Sequence, residues 1–216
     1  MASASPVIAA QPVNPLPSPE AARKAVLTCG LPARRVTVHF LRFMQEDVVW
    51  IGAAGSKLSE DMLTCIARTS MKISYYVYFR DQATQRRYDP LYWRMVEADS
   101  IARARAWLSA RNLLATLPLP RQGEALADYA QAVEEFCGVQ KGNVLVALND
   151  HDVTFAKDAL GKMTANGMEG AAASEEQFEC VMNATTAADL HTHGLFFGFI
   201  GNEAFSEKPA RQPKPR

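Results

Sequence analysis

Apolar and β-branched residues are concentrated in a stretch that begins at Arg35. Residues 35–44 are rich in Val, Leu and Phe, residues 45–47 are polar, and residues 48–52 are apolar again. Two such runs separated by a short polar break predict a β-hairpin. By the same criteria, further strands are predicted over 63–68, 72–80, 112–117 and 143–148.

The predicted hairpin is unusual because both of its faces are mainly apolar. An antiparallel sheet with one face in water does not need apolar residues on that face. Helices can cover one face, and a partner protein is the natural cover for the other. The candidate partner interface comprises Val38, Phe40, Leu41, Phe43, Val49 and Ile51.

Helical spacing of apolar residues predicts two main helices, over 99–111 and 124–136. Later in the chain the pattern is weaker. Residues 153–162 are predicted to be helical, and the capping-box sequence at Ser174 opens a short helix that ends near Asn183. Together these elements predict an α+β fold: a small, mainly antiparallel sheet with two helices on one face, followed by an irregular C-terminal extension.

Prolines and glycines set the predicted domain boundaries, and no internal repeat is visible. Five prolines within the first 19 positions predict a disordered leader over 1–34. The α+β domain is placed at 35–148. Residues 149–216 are an extension of unassigned role, and their proline-rich basic end is predicted to be a disordered tail.

Composition narrows the function classes. The chain has 216 residues, of which 48% are hydrophobic and 21% are charged, which is ordinary for a globular protein. Its 23 basic residues balance its 23 acidic residues, which disfavours nucleic acid as a partner. No apolar run reaches the roughly 20 residues that span a bilayer, so no membrane association is predicted. The charge is uneven, because residues 121–190 hold 12 acidic and only 4 basic side chains.

The four cysteines (Cys29, Cys65, Cys137 and Cys180) show no metal-binding or redox spacing. Two disulfides are an open alternative. Reduced thiols are the favoured state, because a chain of this length can build a core without cross-links.

The sharpest chemical motif is the sequence Asp189-Leu-His-Thr-His193. On an extended segment, His191 and His193 would point to the same side and could hold one metal ion. A metal-dependent hydrolase is therefore an alternative function, with Glu203 as a remote candidate ligand. One class of metallopeptidase has a His-x-His sequence, then seven residues, then Ser-x-x-Asp, and this serine and aspartate are both missing here. We therefore assign no metal site, no cofactor and no catalytic residues.

Seven positions form an ordered pattern of packing residues. An arginine stands eight residues before the tryptophan of a Val-Trp-Ile-Gly sequence, a second arginine follows, and a helix with an Ile-Ala-Arg start leads to an apolar strand that ends near a proline. The residues of the pattern are Arg42, Trp50, Gly52, Arg68, Ile101, Arg103 and Pro120. In this order and spacing the chain resembles the proteasome assembly chaperone 4 family, and the resemblance is to packing motifs. It covers about residues 35–137, and the C-terminal third has no counterpart.

The resemblance implies a non-enzymatic protein of the cytoplasm, with the nucleus as a further location. It implies a heterodimer with proteasome assembly chaperone 3, formed through the sheet. It also implies binding to 20S proteasome α-subunits while the α-ring assembles. A structural subunit of an unrelated large complex is a second alternative to this chaperone function.

Overall fold

The computed structural model describes residues 16–42, 45–52, 58–156, 159 and 174–198. The chain divides into two compact units, which are residues 1–97 (the first unit) and residues 98–216 (the second unit). The predicted α+β class is confirmed. The boundary between the units falls within a helix, well before the predicted boundary at 148.

The first unit begins with helix α1, which lies within the region predicted to be a disordered leader. Ser18 caps this helix, and its side-chain oxygen accepts a hydrogen bond from the Ala21 N–H. Residues 1–15, where most of the prolines fall, lie outside the described residues. The elements of the first unit, in order, are α1 (Pro19–Leu27), β1 (Val36–Leu41), β2 (Glu46–Ile51), α2 (Glu60–Ile73), β3 (Val77–Phe79) and the start of α3 (Gln82–Ala110).

The predicted hairpin forms the first sheet. Strands β1 and β2 pair antiparallel, with Val36 opposite Ile51, and β3 joins β2 in parallel. The sheet is therefore mixed rather than mainly antiparallel. Its inward face packs against α1, α2 and the first part of α3, and the buried residues of this core include Val26, Ile66 and Tyr88.

Two strand predictions are wrong because helix signals outweigh short apolar runs. Residues 63–68 lie within α2, which Ser59 caps and which buries Leu63, Ile66, Ala67 and Ser70 at helical spacing. Residues 112–117 contain a short 3-10 turn, Leu114–Thr116, instead of a strand.

The described part of the second unit includes the end of α3, helix α4, a second three-stranded sheet and a helix that begins after Ser174. Three predicted elements are confirmed here: the helix near 124–136, the strand near 143–148 and the helix that opens with the Ser174 capping box. Residues 153–155 form a strand, so a helix predicted to begin at 153 is wrong. The elements are α4 (Leu126–Phe136), β4 (Leu145–Ala147), β5 (Asp152–Phe155), α5 (Glu175–Ala187) and β6 (Phe196–Gly198).

The second unit repeats the topology of the first. Among the elements whose ranges are given above, each unit has the order helix–strand–strand–helix–strand, with the second strand in the middle of the sheet, antiparallel to the first strand and parallel to the third. The described part of the C-terminal third therefore contains regular strands and a helix. It supplies much of a second copy of the fold.

Each unit also has one disulfide, and both disulfides join the same two elements. Cys29, just after α1, pairs with Cys65 on α2. Cys137, just after α4, pairs with Cys180 on α5. The favoured prediction of reduced thiols is therefore wrong, because the two helices of each unit bring their cysteines together.

The sequence itself repeats around these cysteines. A glycine with positive φ follows the first cysteine of each pair, Gly30 (φ +87°) and Gly138 (φ +67°). This conformation ends a helix and is strained for residues with a side chain. Near the second cysteine, Ser59-Glu-Asp-x-Leu-x-Cys-Ile66 matches Ser174-Glu-Glu-x-Phe-x-Cys-Val181. Both serines cap their helices in the same way. We interpret the chain as a tandem duplication.

Candidate functional site

The described residues of the predicted partner interface do not share one exposed surface, because some of them are buried in the core of the first unit. Val49 and Ile51 are 0% and 1% exposed and pack against the helices of their own unit. They have no surface left for a partner, which corrects the sequence-based assignment. Phe40 is 60% exposed, whereas Val38 and Leu41 are half-buried. Phe43 lies outside the described residues.

The outward face of the first sheet carries an aromatic row. Trp50 stacks on Tyr78 of the neighbouring strand, with ring centroids 4.7 Å apart, and the His39 ring meets Trp50 edge-on at 6.2 Å. The Thr37 hydroxyl lies 2.8 Å from Nε2 of His39. Trp50 is thus half-buried, on the sheet face opposite to buried Val49 and Ile51.

The other motif residues lie on surfaces or between elements. Arg42 follows β1, Gly52 follows β2, and Arg68 is exposed on α2 rather than on a strand. On α3, Ile101 is half-buried, and exposed Arg103 forms an ion pair with Asp99 at 2.8 Å. Pro120 precedes α4 and lines a cleft of the second unit.

The outward face of the second sheet exposes apolar side chains. The register places Val146 beside Thr154 and then Gly198, and it places Asp152 beside Phe196. The Leu148 N–H donates to the Asp152 carbonyl at 2.8 Å, so Leu148 flanks Asp152 on the other side. Exposure is 40% for Val146 and 53% for both Leu148 and Phe196. We call Val146, Leu148 and Phe196 the outer apolar face.

The opposite face of this sheet packs against the unit's own helices. Leu145, Val153 and Phe155 are buried together with residues of α4 and α5, including Val133 and Val181. Helices α4 and α5 therefore pack against the inward face of the second sheet. On the other face Thr154, which lies beside Val146, is 3% exposed, whereas the side chains of the outer apolar face are 40–53% exposed.

The predicted histidine pair lies on a 3-10 turn, Leu190–His193, instead of an extended segment. His191 meets the Phe196 ring edge-on at 6.0 Å. His193 lines a cleft of about 400 Å³, together with His151 from the turn between β4 and β5. The structure thus associates His193 with a histidine that is remote in the sequence.

No group of three or more metal-ligating side chains comes together among the residues that the structure describes. Glu203, the remote candidate ligand, lies outside them. The metal-dependent hydrolase therefore has no geometric support from the two histidines and their described neighbours.

A buried tyrosine also lines the cleft. Tyr129 on α4 is 1% exposed, and its hydroxyl has no hydrogen-bond partner among the residues that the structure describes. Burial, with a smaller contribution from the negative charge of Glu124, raises the pKa of Tyr129 above its ordinary value of about 10. The hydroxyl therefore stays protonated at neutral pH and can donate a hydrogen bond.

Comparisons with known proteins found no relative of this chain. The chain matches no protein-family model, and no curated protein or solved structure matches it. Among the described residues, no helix combines the length and the apolar character needed to cross a bilayer.

Sequence reasoning missed two features of the site: the cleft and the outer apolar face. His151 and Tyr129 reach the cleft from elements that only the fold brings near His193. The signal that could have revealed the second sheet is the repeated Ser-Glu-acid-x-apolar-x-Cys sequence. It would have assigned the C-terminal third to the same fold as the N-terminal part.

Proposed function

We propose that this chain is a non-enzymatic binding protein of an oxidising compartment and that it binds a protein partner on the outer apolar face. The observation that carries the proposal is the exposure of Leu148 and Phe196 on the sheet face opposite to the one that packs on α4 and α5. Apolar surface gathered on one side of a soluble domain is typical of a protein interface.

Charge around the face indicates the chemistry of the partner. Asp152 lies between Leu148 and Phe196, and Asp150 lies on the adjoining turn. Residues 121–190, which include much of the second unit, carry 12 acidic and 4 basic side chains. A complementary partner presents an apolar centre bordered by Lys or Arg, and its binding should weaken as salt screens these charges.

The disulfides support the oxidising compartment. Every cysteine of the chain is paired, and the paired positions recur in both units. Disulfides persist in secreted, periplasmic and endoplasmic-reticulum proteins and are rare in the cytosol. This proposal departs from the cytoplasmic location that the chaperone resemblance implies.

The chaperone function stays a prediction. It names the partner more narrowly, as proteasome assembly chaperone 3, with which the chain would form a heterodimer that binds 20S proteasome α-subunits. Two observations weigh against it: the strand expected to end at Arg68 is helix α2, and a cytosolic protein rarely has two disulfides. Co-expression with proteasome assembly chaperone 3 followed by sizing tests it directly. A defined heterodimer would favour the chaperone function over the proposal made here.

The outer apolar face can be tested with a matched pair of variants. Leu148 lies on the face and Leu119 lies in the loop before α4, and both are 53% exposed. We expect Leu148→Ser to reduce partner binding, because a buried leucine side chain contributes about 1.5–3 kcal/mol, which corresponds to a loss of affinity of tenfold or more. Leu119→Ser should leave binding unchanged.

The measurement is crosslinked capture from the native source, followed by mass spectrometry and by titration with the purified partner in low and high salt. The proposal requires a partner that is lost with Leu148→Ser, kept with Leu119→Ser and weakened by salt. If the parent protein and both variants captured the partner equally, the outer apolar face would not be an interface.

A further inference from the structure

The two disulfides differ in how far their cysteines reach the solvent. In the second unit both cysteines are buried, because Cys137 is 8% and Cys180 is 5% exposed, although they border a cleft of about 240 Å³. In the first unit Cys29 is also 8% exposed, but Cys65 on α2 is only half-buried. An external thiolate must reach one sulfur atom in order to attack a disulfide. Cys65 is therefore the most accessible of the four cysteines.

A hydroxyl group lies beside the sulfur atom that would leave in such an attack. When a thiolate attacks Cys65, the S–S bond breaks and Cys29 leaves as a thiolate. The Thr69 hydroxyl oxygen lies 3.6 Å from the Cys29 sulfur and can donate a hydrogen bond to it. A hydrogen bond to the thiolate stabilises it, and a more stable thiolate leaves faster. In the second unit the matching residue, four positions after Cys180, is Ala184, which has no hydroxyl.

A glutamine side chain ties the two ends of the second disulfide together, and its counterpart in the first unit cannot do so. Gln177 on α5 donates a hydrogen bond to the carbonyl of Gly138, the residue after Cys137, at 2.5 Å. The matching residue on α2 is Met62, whose terminal methyl group lies close to Gly30 but has no N–H to donate. The tie holds the turn after α4 against α5, so a thiolate released there stays within reach and recloses the bond.

We propose that the Cys29–Cys65 disulfide is a thiol-exchange site, opened by a dithiol protein or a small dithiol, and that Cys137–Cys180 is a permanent cross-link. One thiolate of the dithiol attacks the Cys65 sulfur, and Cys29 leaves as a thiolate that takes up a proton. The other thiolate of the dithiol then attacks its own partner sulfur in the mixed disulfide and releases Cys65. Two electrons pass to the protein, and the dithiol becomes a disulfide.

Opening this site affects the first unit alone. It removes the link between the turn after α1 and α2, so α1 should lose protection from hydrogen exchange. The second unit keeps its own cross-link and, with it, the sheet that carries the outer apolar face. Thiol exchange therefore changes the first unit and leaves the face proposed to bind the partner unaltered.

Timed reduction of the native full chain with dithiothreitol tests the proposal. Free thiols are alkylated at each time point, and the labelled cysteines are identified by mass spectrometry. We expect Cys29 and Cys65 to be labelled at least about tenfold faster than the other two, because one hydrogen bond changes a rate by about 3- to 10-fold and two features differ. Opening of the second disulfide first, or of both at one rate, would overturn the proposal.

Glutathione, a monothiol, identifies the sulfur that is attacked. We expect a mixed disulfide with glutathione on Cys65 and a free thiol on Cys29, because the attacked sulfur keeps the reagent and the other one leaves. A glutathione adduct on Cys29 with Cys65 free would contradict the assigned direction of attack.

A threonine pair tests the leaving group. Thr69→Val removes the hydroxyl and keeps the shape of the side chain, so it should slow the opening of the first disulfide by about 3- to 10-fold. Thr64→Val is the control, because Thr64 is also a half-buried threonine of α2 and is next to Cys65. It should leave the rate unchanged.

A reciprocal exchange of side chains tests the tie. Met62→Gln should slow the opening of the first disulfide, and Gln177→Met should accelerate the opening of the second, each by about 3- to 10-fold. Ser174→Ala is the control for Gln177→Met, because it removes the helix cap but keeps the bond to Gly138. Parental rates in Thr69→Val and in both exchange variants would contradict selective opening.

Discussion

Replacing Glu134 with alanine is expected to lower the free energy of unfolding of the second unit by roughly 3–5 kcal/mol. Glu134 on α4 is 0% exposed. One carboxylate oxygen accepts hydrogen bonds from the N–H groups of Val144 (2.6 Å) and Leu145 (2.8 Å), and the other accepts from Gly142. Alanine leaves these donors without a partner inside the protein, and each buried donor left unpaired costs about 1–3 kcal/mol.

The neighbouring Glu135 provides the control for Glu134. Its carboxylate is exposed and forms a surface ion pair with Lys141 at 2.9 Å. Glu135→Ala should therefore change stability by no more than about 1 kcal/mol. Glu134→Gln keeps one acceptor oxygen and should fall between the two. Chemical denaturation monitored by circular dichroism gives all three values, and equal stability of the two alanine variants would contradict the assigned role of Glu134.

Removing either disulfide is expected to cost about 2–4 kcal/mol. The cysteine pairs are separated by 36 residues in the first unit and by 43 in the second. Loop-closure entropy changes slowly with loop length, so the two cross-links should contribute nearly equally, within about 0.2 kcal/mol by the chain-entropy relation.

The disulfide prediction is measured on the double variants Cys29→Ser/Cys65→Ser and Cys137→Ser/Cys180→Ser. Each should show a lower denaturation midpoint than the parent protein. Hydrogen exchange read by mass spectrometry should show the larger loss of protection in peptides of the unit that lacks its disulfide. If one double variant were as stable as the parent, that disulfide would not be part of the native framework.

Local signals in the sequence explain the elements that were predicted well. The hairpin follows from two β-rich runs around a polar break, and α5 follows from the reciprocal capping of Ser174 and Gln177. The same kind of signal, Ser59 followed by two acids, stands before residues 63–68. A short segment of six residues such as 63–68 fits a strand or a buried helix equally well. The helix cap at Ser59 indicated the helix correctly.

Pairing between distant segments explains the elements that were missed. Residues 153–155 form a strand because β4 and β6 pair with them from both sides. The duplication was missed because the two copies share mainly caps, cysteines and buried positions, with connections of different length between them. The cleft was missed for a related reason: His151, Tyr129 and His193 belong to three elements that only the folded second unit brings together.

The two units are copies of one fold, and each copy has one disulfide. The direct test is disulfide mapping of protein from its native source, with free thiols alkylated at lysis and peptides then identified by mass spectrometry without reduction. We expect two cross-linked peptide pairs, Cys29–Cys65 and Cys137–Cys180, and no alkylated cysteine. Alkylation of all four cysteines, or a cross-link between the two units such as Cys29–Cys137, would contradict it.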